Sequence, residues 1–178
     1  MGTPQESLDV LARALDQTSA VLAAIEPSQL SEPTPCRDWD VGQLVGHVVA
    51  DPRNLLAMAR GDQVDWSAQP EPPRSAWADE FRRGADDLLA HWRGLGDDAQ
   101  PAQIDWQTAE FAVHTWDLAQ ATGWSKPLDP AVAERGLAFM SNALTPDNRG
   151  QAFDAEQPAP EGAGPYERIA AFSGRSVG

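Results

Sequence analysis

A chain of 178 residues is long enough to bury a core without cross-links, and its one cysteine, Cys36, has no partner for an internal disulfide. With 27 acidic residues against 13 basic ones the formal charge is -14, which repels phosphate backbones and anionic lipid and argues against nucleic acid or a membrane surface as partner. No uncharged apolar run approaches the ~18 residues that cross a bilayer, and no signal-peptide pattern opens the chain; the expectation is a single cytoplasmic domain over residues 1–178. Lys126 is the one lysine among many arginines, and with abundant Ala, Gly and Pro this points to a GC-rich bacterial genome.

Helical periodicity runs through most of the chain. Thr3, Pro4 and Glu6 form a capping box with proline at the first helical position, and Leu8, Leu11, Leu15, Thr18, Leu22 and Ile25 follow at spacings of three and four until Pro27 stops the helix. Residues 30–39 read as an ordered loop. Asp40 and Gln43 then cap a second helix marked by Val41, Leu44, Val45, Val48, Leu55 and Leu56. A Pro-rich connector at 69–73 leads to a third stripe of Trp77, Phe81, Leu88, Trp92 and Leu95, closed by Gly94 and Gly96. The fourth helix spans about 102–122, with Ile104, Phe111, Leu118 and Thr122 on one face and Gly123 as C-cap. Asp129 and Pro130 start a shorter helix past Leu137 and Phe139. Residues 145–165 form a Pro- and Gly-rich tail over the bundle, ending in a short helix near Tyr166 to Phe172. No segment alternates with the period of a strand, so the fold class is all-α: a four-helix core over 4–123, with the extra helix and irregular tail over 129–178.

Chemistry concentrates on two helices. Glu110 and His114 are four residues apart and emerge from one face of the fourth helix, His114 about 40° around from the core position Leu118. A carboxylate at the edge of a buried stripe is costly unless paired. His47 lies at the edge of the second helix, in a run from Leu44 to Ala50 without charge. His, Glu and His from two facing helices would make a three-ligand metal set with an open position, suited to zinc and also to iron(II) or nickel. Spacing alone does not separate this from a weak i,i+4 surface pair and a hydrogen-bonded histidine.

The segments Thr34-Pro-Cys-Arg-Asp-Trp-Asp-Val-Gly-Gln-Leu-Val-Gly-His47 and Glu110-Phe-Ala-Val-His114-Thr-Trp-Asp-Leu-Ala-Gln-Ala-Thr-Gly123 resemble the DinB-like metalloprotein superfamily, in its mycothiol-dependent maleylpyruvate isomerase-like branch. The resemblance spans about 5–125 and implies an up-down-down-up bundle. It also implies a divalent metal, usually zinc, held by His47, Glu110 and His114, with a small thiol such as mycothiol as cosubstrate. A bound cation favours thiolate over thiol and so makes a nucleophile at neutral pH. The chain lacks most of the isomerase's C-terminal domain, so the electrophilic substrate is not inherited, and a homodimer is left open.

Asp51, four residues after His47, precedes Pro52 inside the second helix, where proline removes a backbone donor and kinks the chain. Asp51 can hold His47 by a hydrogen bond, accept a proton from substrate, or face water; Asn54 shares its side. Asp117, three residues after His114, has the same readings, with structure favoured. Cys36 reads as packing, His91 as a surface residue near a helix C-terminus, and Trp39 and Trp66 as candidate pocket walls. The competing functions are a metal-dependent thiol transferase or isomerase, a metal-dependent hydrolase with Asp51 or Asp117 as base, and a non-catalytic metal-stabilised module that binds a partner.

Overall fold

The computed structural model describes residues 2–66, 75–149 and 153–178; the Pro-rich connector expected at 69–73 lies outside them. Among the described residues there are six α-helices, α1 (Pro4–Ala24), α2 (Val41–Ala59), α3 (Trp77–Leu95), α4 (Pro101–Thr122), α5 (Pro130–Ala143) and α6 (Pro165–Phe172), and two single-turn 3-10 helices at Pro27–Gln29 and Gly96–Asp98. No helix is long and apolar enough to cross a membrane among those residues.

The caps form where the sequence puts them. Glu6 N–H donates to Thr3 Oγ1 at 3.2 Å and Thr3 N–H to Glu6 Oε2 at 2.8 Å, closing the first turn of α1 on itself. Asp40 and Gln43 do the same for α2, at 2.8 and 3.1 Å. Gly123 closes α4 at φ +71, in the left-handed region that glycine enters without a Cβ clash. The α5 start is tied to the bundle as well as capped: Asp129 accepts from Ala131 N–H at 3.0 Å while its own N–H donates to Gln17 Oε1 at 2.9 Å.

In the bundle α1 packs against α3 and α4, and so does α2. The four helices therefore form a ring in which α1 faces α2 across the core. Leu11, Leu15, Leu22, Leu44, Leu55, Phe81, Leu88, Ile104, Phe111 and Leu118 are fully buried, which matches the stripes read from the sequence. Phe81 and Phe111 meet edge to face at 5.8 Å, an arrangement that suits the ring quadrupoles. Leu95 departs from its stripe: it is 39% exposed, because the last turn of α3 runs past the end of the core into the Gly96–Asp98 turn. Thr122, at the last turn of α4, is likewise only half-buried.

Helix α2 continues as helix through Pro52 to Ala59. Opposite the proline stands Gly84 of α3, where an added Cβ would come within 3.2 Å of Pro52 Cβ. A small residue on α3 thus makes room for the ring. Helix α5 lies on α4 and α1, and α6 on α5 and α4. Gly136 sits so close to α4 that a Cβ there would meet Ala109 Cα at 3.0 Å and Ile169 Cδ1 of α6 at 2.8 Å.

The tail is held by specific bonds. Arg149 donates to the carbonyls of Phe172 (2.7 Å) and Asp154 (3.1 Å), Gln157 N–H donates to Ala171 O at 2.9 Å, and Gln17 of α1 hydrogen-bonds the Tyr166 hydroxyl. These bonds tie the segment before α6 to the last turn of that helix, and α6 itself to α1.

Candidate metal centre

Helix α2 presents His47 and Asp51 on one face, a turn apart, and α4 presents Glu110, His114 and Asp117. Because α2 and α4 are neighbours in the ring, the two faces meet. His47 Nε2 and His114 Nε2 each lie 3.1 Å from the same oxygen, Glu110 Oε1. One ligand atom from each of the three residues falls within 4.8 Å of the others. Around an ion with bonds of about 2.1 Å, neighbouring ligand atoms stand about 3.0–3.4 Å apart. The two separations are of that size, so the donor set fits a divalent cation, and the three residues expected from the sequence are brought together.

The site is half enclosed. His114 is buried, His47 and Glu110 are intermediate, and the Trp39 ring lies 4.6 Å from His47 and 6.1 Å from His114. Burial works against a charged His114, but Glu110 and then Asp117 outweigh it and hold the imidazolium well above its ordinary value. For Glu110, burial opposes ionisation too, and His114 with His47 overcomes it, leaving the carboxyl far below the usual range. In the metal-free cluster the charge of Glu110 is thus balanced by a proton on His114, which a bound cation would have to displace.

Asp117 takes up one of the readings that its spacing from His114 offered, a hydrogen bond to the histidine. Fully buried, it reaches His114 Nδ1 at 3.2 Å, the nitrogen on the far side of the ring from Glu110. A carboxylate there fixes the tautomer that leaves Nε2 free as a ligand. Asp117 is itself gripped by Arg175, Nη2 to Oδ2 at 2.8 Å and Nε to Oδ1 at 3.2 Å. Burial would raise its pKa, but the hydrogen bond from His114 and the guanidinium charge lower it. The spacing of Asp117 from His114 was a signal for the first contact. Arg175 offered none, being an arginine in an irregular tail 58 residues away.

Asp51 is 0% exposed, which rules out the water-facing reading. Its Oδ2 lies 3.2 Å from His47 Nε2, and neither carboxylate oxygen accepts a hydrogen bond. Burial, reinforced by Glu110, pushes its pKa well above the ordinary carboxylate value. Cys36, His114 and Asp117 form a second group of close donor atoms. The paired Arg175 already neutralises that side, and burial holds the Cys36 thiol above its usual pKa, so an ion fits the His47–Glu110–His114 set better. His91 takes no part: its ring packs against Trp92 at 5.2 Å.

Over the cluster opens a cavity of about 1000 Å³, lined by His47, Glu110 and His114 together with Trp39, Trp66, Trp106, Phe139, Cys36 and Arg175. Both tryptophans expected as walls are there, and Trp106 joins them. The wall from α5 is apolar, with Phe139, Met140 and Ala143, while beyond His47, Glu110 and His114 the polar groups come from the loop before α2, from Asp154 and from Ser173 and Arg175 after α6.

Residues 11–119 match the family described as mycothiol maleylpyruvate isomerase N-terminal domain. The span holds His47, Asp51, Glu110, His114 and Asp117 but stops short of Arg175. An uncharacterized protein of Mycobacterium tuberculosis is 34% identical over 182 aligned residues, covering 93% of this chain and 95% of its own length, in both strain CDC 1551 / Oshkosh and strain ATCC 25618 / H37Rv. No solved structure matches the chain. On the match over most of its bundle, the chain belongs to the mycothiol maleylpyruvate isomerase N-terminal domain family, within the DinB-like superfamily.

Proposed function

We propose that the protein is a metal-dependent thiol transferase or isomerase, in which His47, Glu110 and His114 hold a divalent cation, zinc foremost and iron or nickel as alternatives, and a mycothiol-type thiol is the cosubstrate. The observation that carries this reading is the convergence of both imidazoles on Glu110 Oε1 at the floor of the cavity. A bound divalent cation would supply stabilisation of thiolate over thiol. The residues do the rest. Asp117 orients His114 through Nδ1, Arg175 keeps Asp117 ionised, and Trp39 covers His47 and excludes water from one side of the centre. The cavity, at the upper end of the size of small-molecule sites, has room for a thiol and an electrophile together.

The hydrolytic alternative needed Asp51 or Asp117 as a base toward a substrate. Neither is among the described lining residues, and Asp117 is committed to His114 and Arg175. The test is metal analysis joined to thiol binding on wild type and Glu110→Gln. Expected are about one equivalent of metal in the wild type, little in the variant, and a thiol-dependent rise in melting temperature that requires the metal. Absence of metal, together with an unchanged melting temperature in His47→Ala, overturns the proposal; metal without any response to mycothiol or another small thiol removes the thiol half of it.

A further inference from the structure

The cavity over the candidate centre has two linings of different chemistry. Trp106, Ala109, Glu110 and Val113 share one face of α4 and all line it. Trp106 therefore stands one turn, about 6 Å along the axis, from the candidate ligand Glu110. Helix α5 adds Phe139, Met140 and Ala143, and the close approach of Gly136 to Ala109 sets that helix against α4 next to Glu110. Apart from Glu110 and His114, this wall carries no charged side chain among the described residues. The second lining is polar and comes from the loop before α2 and from the tail, through Cys36, Arg37, Asp38, Asp154, Ser173 and Arg175. It reaches the centre at His114, since donor atoms of Cys36, His114 and Asp117 lie within 4.8 Å of one another.

The cations of the cavity are already engaged. Arg175 is bound to Asp117 at 2.8 and 3.2 Å, and Arg37 is paired with Asp154 at 3.7 Å. Both belong to the polar lining, so a carboxylate laid on the apolar wall would lose its hydration without gaining a partner. It would also stand beside Glu110, in a chain of net charge -14. Glu110 and a thiolate together cancel a divalent charge, so the occupied centre does not call for a further anion. We infer that the wall of α4 and α5 is the subsite for the electrophile, and that the electrophile is an uncharged compound with an apolar, ring-sized body. The polar lining is left to the thiol. This deepens the thiol-transfer reading above and rests on it. Trp106 and Phe139 supply the broad apolar surfaces that such a body needs, and Ala143, exposed at the end of α5, borders the entrance.

The test uses two unreactive probes that differ by one charge, 1,3-dinitrobenzene and 3,5-dinitrobenzoate. Each is titrated at pH 7 into zinc-loaded and metal-free protein, by calorimetry and by quenching of tryptophan fluorescence. The neutral probe is expected to bind at least roughly tenfold tighter in both forms, because only the carboxylate gives up hydration unpaired. Saturating mycothiol is expected to leave its affinity within about threefold. Phe139→Gln should weaken the neutral probe several-fold, and Ala143→Arg, at an exposed position that tolerates a long side chain, should raise the affinity of the carboxylate roughly tenfold. Both variants should take up zinc as wild type does. Equal or tighter binding of the carboxylate by wild type overturns the inference, as does displacement of the neutral probe by the thiol or indifference of both probes to both variants. Each of these outcomes leaves the metal and thiol reading standing. A wild type that takes up no zinc overturns that reading instead, and the role of the electrophile with it.

Discussion

Arg175 grips Asp117 at two points, 2.8 and 3.2 Å, across 58 residues of sequence, and Asp117 in turn holds His114 Nδ1 at 3.2 Å. The C-terminal tail is thereby wired to the candidate centre through one carboxylate. Removing the guanidinium leaves a buried charge without its partner, which costs about 3–5 kcal/mol. In a domain of this size each kcal/mol moves the melting temperature by roughly 2–4 °C. Arg175→Ala is therefore expected to melt roughly 6–20 °C below wild type, and the double variant Arg175→Ala with Asp117→Asn to recover part of that loss. Thermal unfolding of the four proteins in the cycle checks it; an additive double variant contradicts the coupling.

The charge on His114 sets a pH dependence with a definite sign. Its pKa in the metal-free fold lies well above 6.5 because Glu110 and Asp117 outweigh its burial. Stability from that raised value is fully present below about pH 6.5 and is lost as pH climbs through the folded value. Metal binding runs the other way, since a ligating imidazole must be unprotonated and binding expels the proton. Melting curves in chelator from pH 6 to 9 should fall on the alkaline side, while the increment produced by added zinc grows. Flat behaviour in both series would place the proton elsewhere.

Helix α5 touches the centre's backbone through Gly136. An alanine there brings Cβ to 3.0 Å from Ala109 Cα, a backbone atom that cannot step aside, and to 2.8 Å from Ile169 Cδ1. Overpacking of this kind costs about 1–3 kcal/mol. Ala109 adjoins Glu110, so Gly136→Ala is expected to lower both the melting temperature and the zinc affinity. Urea unfolding and chelator competition on the same sample measure the two effects; loss of stability with untouched affinity would show that α4 absorbs the strain elsewhere.

A contrasting variant lies one turn before Glu110, where α4 meets Trp92 of α3. Gln107 Oε1 accepts from Trp92 Nε1 at 2.9 Å in the core. Gln107→Leu strands a buried indole N–H at a cost of about 1–3 kcal/mol. The expected outcome is a lower denaturant midpoint with zinc affinity unchanged, which separates general weakening of the bundle from damage to the candidate metal centre.

Local chemistry explains how much was legible in advance. Caps at Thr3, Asp40 and Asp129, and stripes such as Leu11, Leu15 and Leu22, involve residues a few positions apart, so helix existence and the buried faces followed from spacing. Leu95 broke its stripe because periodicity carries no information about where the core ends. The Glu110 and His114 pair was visible for the same local reason as the caps, and its tie to His47 rested on resemblance until the packing of α2 on α4 placed the three together.

What the sequence determined by itself is whatever the helical repeat fixes: six amphipathic or capped segments, and Glu110 with His114 on a common face. What only the tertiary structure decided is which side of each imidazole meets which carboxylate. Asp51 and Asp117 sit at comparable offsets from their histidines, four residues and three. Asp51 ends against His47 Nε2, the nitrogen that faces Glu110, and Asp117 against His114 Nδ1, the nitrogen turned away from Glu110, with an arginine behind it. That difference arises from ring rotation, burial, and a tail that returns over the bundle, and none of these is encoded at the range of a helical turn.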